Sequence, residues 1–169
     1  MSATTIRDAT SADFAAIVAL NAAAVHFTSP MDTPRLAHLH AHAAYHRLVD
    51  DAGQVRAFLL AFREGAPYDS PNYRWFAQHY ARFLYIDRIV VANEARSQGL
   101  GRILYDDILQ FATLSGAARL TCEFDVEPPN PVSAKFHARF GFREVGRQWL
   151  SGGRKQVSLQ LRELESSAA

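Results

Sequence analysis

The stretch Ile86–Gly101, Ile-Asp-Arg-Ile-Val-Val-Ala-Asn-Glu-Ala-Arg-Ser-Gln-Gly-Leu-Gly, constrains the fold more than any other. It runs from a β-branched segment through a glycine-bearing turn into a helical pattern. Phe83 to Val91 is rich in Phe, Tyr, Ile and Val and reads as a buried strand. Leu100 to Ser115 carries Leu100, Ile103, Leu104, Ile108, Phe111 and Leu114 at helical spacing, and Gly116 marks the stop. A strand feeding directly into a helix leaves unpaired N–H groups at the helix start, which favour an anion. Gly99 and Gly101 admit two readings: side chains absent where a phosphate approaches the backbone, or a tight turn packed for its own sake. Arg96 and Arg102 add positive charge. The G-x-x-x-x-G-K-[ST] loop does not occur, and Leu104 stands where a dinucleotide fingerprint needs its third glycine.

Val91-x-Asn93-x-x-Arg96-x-x-Gly99-x-Gly101 resembles the acyl-CoA pyrophosphate loop of the GCN5-related N-acetyltransferase (GNAT) family. Downstream, Asn130-Pro131-Val132-Ser133-Ala134-Lys135-Phe136-His137-Ala138-Arg139-Phe140-Gly141-Phe142 is similar to the family's later motif: an Asn opening a helix, an apolar-aromatic pair, and a closing Gly-Phe. The resemblance covers roughly residues 6–161. It implies an α/β fold in one N-acetyltransferase domain spanning residues 1–169, with its core at about 4–162. The expected sheet is central, mixed and mostly antiparallel, with about six or seven strands, a splayed parallel pair in the middle and about four flanking helices. It also implies acetyl-CoA as cosubstrate, with no metal. Arg96, Ser97, Gln98, Gly99, Leu100, Gly101 and Arg102 would hold the pyrophosphate. Ile89, Val90 and Val91 would offer backbone to the pantetheine arm, beside Asn130, Ser133 and His137.

Composition agrees with one compact enzyme domain. A chain of 169 residues, 49% hydrophobic, can bury a sizeable core. Its 18 basic and 17 acidic residues are well mixed, so no long-range field favours nucleic acid or anionic membrane. The N-terminus lacks the pattern of a signal peptide, and no apolar run is long enough for a span, which points to a cytoplasmic protein. The single cysteine, Cys122, excludes an internal disulfide and reads as a small apolar strand residue rather than a nucleophile.

In chain order, Thr4–Arg7 reads as a strand, and Thr10-Ser11-Ala12-Asp13 caps a first helix with Phe14, Ile17, Val18 and Val25 on its apolar side. Residues 34–43 read as a second helix. Its His38, His40 and His42, spaced by two, do not share a helical face and make a poor metal site. Tyr45–Asp50 and Gln54–Phe62 form a hairpin about Asp51-Ala52-Gly53. Arg63–Arg82 is a long connection dense in aromatics: Tyr68, Tyr73, Trp75, Phe76 and Tyr80. It reads either as a wall over the acceptor site, where aromatics could cradle a cationic amine, or as an oligomer contact or satellite core. Residues 118–126 form a strand parallel to Phe83–Val91. Asn130 and Pro131 open a further helix that Gly141 ends, residues 142–150 and 155–161 form a last hairpin, and residues 163–169 a frayed tail. Exposed strand edges and the aromatic segment leave a homodimer open.

The implied chemistry is acyl transfer from a thioester to a primary amine of a small molecule or of a peptide or protein N-terminus. An alkyl ammonium has a pKa near ~10.4 and an α-amino group near ~8, so a base is needed. Glu123 is the first candidate, since its place in the strand before the Asn-led helix resembles the glutamate base of some ribosomal-protein N-terminal acetyltransferases. Asp87, which alternation places on a face with Tyr85 and Ile89, is the second; Asp125 shares the Glu123 face. His137 stands where many relatives carry the tyrosine that protonates the departing thiolate. It could replace that acid or only bind coenzyme, with Ser133 one turn earlier orienting its ring. Proximity alone supplies up to roughly 7–11 kcal/mol, so the reaction is more firmly implied than any residue's role. The competing readings are a non-catalytic acyl-CoA sensor and a transferase of longer acyl groups.

Overall fold

A computed structural model describes residues 4–24 and 28–164. Seven strands form one sheet in the order β1-β2-β3-β4-β5-β7-β6. They are β1 (Thr4–Asp8), β2 (Tyr45–Asp51), β3 (Gln54–Arg63), β4 (Phe83–Val91), β5 (Arg119–Glu127), β6 (Arg143–Leu150) and β7 (Lys155–Glu163). The helices are α1 (Phe14–Ala23), α2 (Thr33–His42), α3 (Pro71–His79), α4 (Leu100–Leu114) and α5 (Pro131–Arg139). All neighbouring strands run antiparallel except β4 and β5. This is the mixed sheet that the resemblance implies.

Local chemistry accounts for the element ends. Asp13 accepts from the Thr10 backbone N–H at 2.8 Å, closing the capping box before α1. Val25 of the expected apolar stripe, with His26 and Phe27, lies outside the described residues, as do residues 165–169. The expected frayed tail starts too early: Glu163 pairs with Arg119 in the sheet, and the Leu164 N–H donates to the Ala118 carbonyl. The β2–β3 hairpin turns on Ala52 and Gly53, both with positive φ, as a two-residue turn requires.

Two apolar layers sandwich the sheet. On one face α1, α2 and α3 cover Leu48, Phe58, Leu60, Phe83 and Tyr85. On the other, α4 and the aromatics of α5 cover Val49, Leu59, Leu84, Ile86 and Leu120. The buried stripe of α4 is Leu100, Leu104, Tyr105, Ile108 and Ala112; Ile103 and Leu114, expected within it, face solvent.

The aromatic connection belongs to the principal core. Tyr68, Tyr73 and Phe76 are buried among Phe62, Phe83 and Tyr85, so the satellite-core reading is overturned. Ser70 caps α3 by accepting from the Tyr73 N–H, and Pro71 occupies its first turn. Trp75 reaches across to β6, where a Cβ on Gly146 would lie 2.6 Å from the indole. Gly146 is glycine because no side chain fits beneath that ring.

Two irregularities of β4 create the site. Its parallel pairing with β5 covers only Phe83–Tyr85 against Arg119–Thr121, after which the strands separate. Opposite β3 the register shifts between Leu60 and Ala61, which face Arg88 and Ile86, leaving Asp87 as the extra residue of a bulge.

Candidate active site

The bulge re-aims the side chains of β4. Asp87 shares the Tyr85 face, as strand alternation predicts, but Ile89 packs on the opposite layer, against that expectation. Asp87 and Arg88 meet side by side, with Arg88 Nε 2.6 Å from Asp87 Oδ2 and both side chains almost fully buried. The Tyr68 hydroxyl donates to the other carboxylate oxygen. Arg88 is further held by Asn21 Oδ1 at 3.0 Å and by the Ser29 carbonyl at 3.1 Å. Asp87 is therefore committed to an ion pair, which weakens its candidacy as the base.

Glu123 projects from β5 into the gap that the splay opens. The Tyr85 hydroxyl donates to its Oε2 at 2.7 Å, and Asn72 lines the same wall of the cavity. Asn72 is oriented in turn by Gln148 Nε2, which donates to its Oδ1 at 3.0 Å. Burial, opposed by the Tyr85 donor and aided by the Asp87 charge, with Asn72 and Lys155 also opposing the rise, pushes the Glu123 carboxyl up to about 8. A carboxyl so placed exchanges protons near neutral pH.

His137 is buried, with 4% of its surface exposed. Its Nδ1 lies 2.8 Å from the Ser133 carbonyl, which only accepts, so Nδ1 carries the proton. Nε2 then accepts from the Tyr105 hydroxyl at 2.7 Å. Phe124, Phe136 and Phe142 enclose the ring, and burial lowers its pKa. The proposed replacement of the tyrosine acid is not what this geometry provides, because both ring nitrogens are engaged and the ring is neutral. Ser133 does orient His137, chiefly through its carbonyl. Asn130 caps α5, its Oδ1 accepting from the Ser133 N–H at 3.2 Å.

An inner cavity of about 180 Å³ lies in the wedge between β4 and β5. It gathers Asp87, Ile89, Val90, Glu123, Asp125, Asn130, Ser133 and His137, which sequence reasoning singled out. An outer cavity, lined by Arg35, Tyr68, Asp69 and Ser70 among others, adjoins it. Thr28, Asn72, Asp87, Arg88, Glu123 and Lys155 line both. The aromatic connection thus does wall a second chamber, through the segment leading into α3. Among the described residues it offers no aromatic cage there, because the Tyr68 ring is covered by Phe62 on one side and lies beneath the Arg35 guanidinium.

The remaining expected residues stand at the turn before α4. Ser97 and Gly99 adopt left-handed φ of 70° and 77°. The first intrahelical bond runs from the Ile103 N–H to the Gly99 carbonyl, so the amides from Gly99 to Arg102 have no acceptor within the helix. A Cβ on Gly99 would meet nothing, and one on Gly101 would touch only Phe136 and Ile89 at ordinary distances. The open space above these amides suits a phosphate, and the unpaired β4 backbone beyond Tyr85 suits an amide-bearing arm, so these residues fit acetyl-CoA. Arg96 and Arg102 are exposed, Arg102 near Asp106 at 4.0 Å.

Sequence reasoning missed Tyr85, Asn72, Arg88 and Lys155. Tyr85 could have been found, since it lies two residues from Asp87 on a strand already read; the others depend on the bulge and on long-range docking. Among the described residues, no three His, Cys, Asp or Glu side chains converge as metal ligands, and no helix is long and apolar enough to cross a membrane.

Many solved structures share this architecture. The ribosomal-protein-S18-alanine N-acetyltransferase of Escherichia coli aligns at TM-score 0.75 and 17% identity, over 99% of this chain and 97% of that one. Ard1 of Thermoplasma volcanium aligns at TM-score 0.77 and 17% identity, over 96% and 99%. The yncA protein of Salmonella typhimurium, whose structure holds its cofactor acetyl-CoA, aligns at TM-score 0.74 and 23% identity, over 99% and 97%. No curated protein matches the sequence. The model of the acetyltransferase (GNAT) family matches residues 16–142, which include both motifs up to the closing Phe142, and the chain belongs to that family.

Proposed function

We propose that this protein is an acetyl-CoA-dependent N-acetyltransferase in which Glu123 is the general base for a primary amine. The observation that carries this reading is the position of Glu123 at the junction of the two cavities, with a carboxyl whose pKa, about 8, suits it to proton transfer. Acetyl-CoA would supply an activated thioester carbonyl, its pyrophosphate held by the amides of Gly99 to Arg102 and its arm along Ile89–Val91. Glu123, held by the Tyr85 hydroxyl, takes one proton from the ammonium entering through the outer cavity. The amine nitrogen forms its bond to the acetyl carbon as the C–S bond breaks. Of the two protons that nitrogen gives up, one rests on Glu123 and passes to solvent, and the other ends on sulfur. A base near ~8 matches an α-amino group almost evenly, whereas an alkyl ammonium near ~10.4 lies uphill.

The burial of His137 favours a second reading, a non-catalytic acyl-CoA-binding module without a dedicated acid. Calorimetric titration with acetyl-CoA, combined with thiol release across an amine panel, separates the two. Binding that the Gly99→Glu, Gly101→Glu double variant abolishes, together with amine-dependent thiol release, supports the transferase. Binding without release supports the module, and absence of binding by the folded protein refutes both.

A further inference from the structure

The outer cavity has a marked imbalance between donors and acceptors. Its carboxylates are already engaged: Asp87 by the Tyr68 hydroxyl and Arg88, and Asp69 by Arg35 Nη2 at 2.8 Å. Glu123 accepts from Tyr85, and with a carboxyl near 8 it is mostly protonated at neutral pH. The cations retain capacity. Arg35 has five N–H donors and, among the described residues, bonds Asp69 through one; its remaining guanidinium lies over the Tyr68 ring. Lys155 Nζ has three donors, and its carboxylate partner, Asp125 at 3.3 Å, lines the inner cavity but not the outer one. Arg35, Arg88 and Lys155 line the outer chamber beside Asp69, Asp87 and Glu123, and all three carboxyls are already engaged while Arg35 and Lys155 keep further N–H donors. The first turn of α3, Ser70–Asn72, opens into the same space with its helix dipole positive end inward.

A simple alkyl amine would leave these donors to water. We propose that the outer cavity is the acceptor site and that it takes a small primary amine bearing an anionic group, a carboxylate or a phosphate, with Lys155 and Arg35 receiving the anion and Glu123 facing the amine. This inference rests on the N-acetyltransferase reading for its amine half, while the anion half stands on the cavity alone. Lys155 lines both chambers and lies near Glu123, so an anion on Lys155 sets the amine of a short molecule at the junction. The cavity, about 560 Å³, has room for a molecule of this size.

The test compares matched acceptors. β-Alanine is set against β-alaninamide, and O-phosphoethanolamine against ethanolamine, by thiol release from acetyl-CoA. The anionic member should show kcat/KM at least about tenfold higher in one pair, which identifies carboxylate or phosphate, and Lys155→Met, which keeps the aliphatic stem, should erase that preference mainly through KM. A binding arm is independent of turnover: N-acetyl-β-alanine and O-phosphoethanolamine are titrated calorimetrically into the protein against N-acetyl-β-alaninamide and ethanolamine, which lack the anionic group, with Lys155→Met and Arg35→Met alongside. Tighter binding of an anion, lost in the variants, supports the site even if no amine is acetylated, in which case the transferase reading alone falls. Equal or better use and binding of the molecules that lack the anionic group, or a preference that survives both substitutions, overturns the inference; better turnover of amidated peptides would do the same.

Discussion

Replacing Tyr85 by Phe removes one O–H donor from the base and leaves the ring packed against Tyr73 and Phe76. That donor stabilises the charged form of Glu123, and a hydrogen bond to a charged group contributes about 1.5–3 kcal/mol. At about 1.36 kcal/mol per pKa unit, its loss raises the carboxyl by roughly one to two units above its present value near 8. Glu123 keeps some exposure, and solvent screening makes the lower figure the better guide. At pH 7 roughly one carboxyl in ten is ionised in the parent, and roughly one in a hundred after a one-unit rise. The variant should therefore lose about tenfold in kcat/KM at pH 7, and the deficit should close as pH rises past the new limb. Thiol release measured between pH 6 and 10.5, with thermal melts to confirm folding, reads this directly. A limb that stays in place, a loss equal at every pH, or a shift toward acid would refute the assignment of Glu123 as the titrating base.

Two further substitutions probe the scaffold. Arg88→Met strands the Asp87 carboxylate in a buried position and should cost about 3–5 kcal/mol, measured by urea unfolding, with Asp87→Asn in the same chain recovering part of the loss. Gly146→Ala forces a methyl group against the Trp75 indole and should cost about 1–3 kcal/mol, a fall of several degrees in Tm that Trp75→Leu relieves.

What was legible in the sequence was what local chemistry decides. β4, the glycine turn and α4 follow one another as the pattern from Phe83 to Gly116 implies, because alternation, glycine and the apolar stripe act over a few residues. Asn130 with Pro131 marked the start of α5 for the same reason. The bulge at Asp87 left no local trace; it arises from the register of β3 against β4 and decides that Asp87 joins Arg88 while Ile89 turns away. The aromatic connection was conspicuous by composition, yet its division of labour was hidden. Tyr73 and Phe76 serve the core, Asn72 serves both cavities and Tyr68 serves core and outer cavity at once, a partition set by docking onto Phe83, Tyr85 and Glu123. His137 was found by motif register, but its environment depends on Tyr105 and Phe124, from other elements.

Among the described residues, three residue pairs join β4 to β5, with the Ala118 N–H donating to the Arg82 carbonyl at their start, and this short ladder links two half-sheets, β1–β4 on one side and β5, β7 and β6 on the other. Along the rest of β4 one row of backbone groups lacks a neighbouring strand, so the ladder is interrupted at the centre of the molecule rather than at its rim. A ligand whose amides filled that gap would act as an eighth strand. Occupancy and fold stability then become a single quantity, since a ligand at a hundred times its Kd that binds only the folded chain adds about 2.7 kcal/mol. In a sheet split this way, a ligand lying between β4 and β5 would close the seam along which the two halves meet.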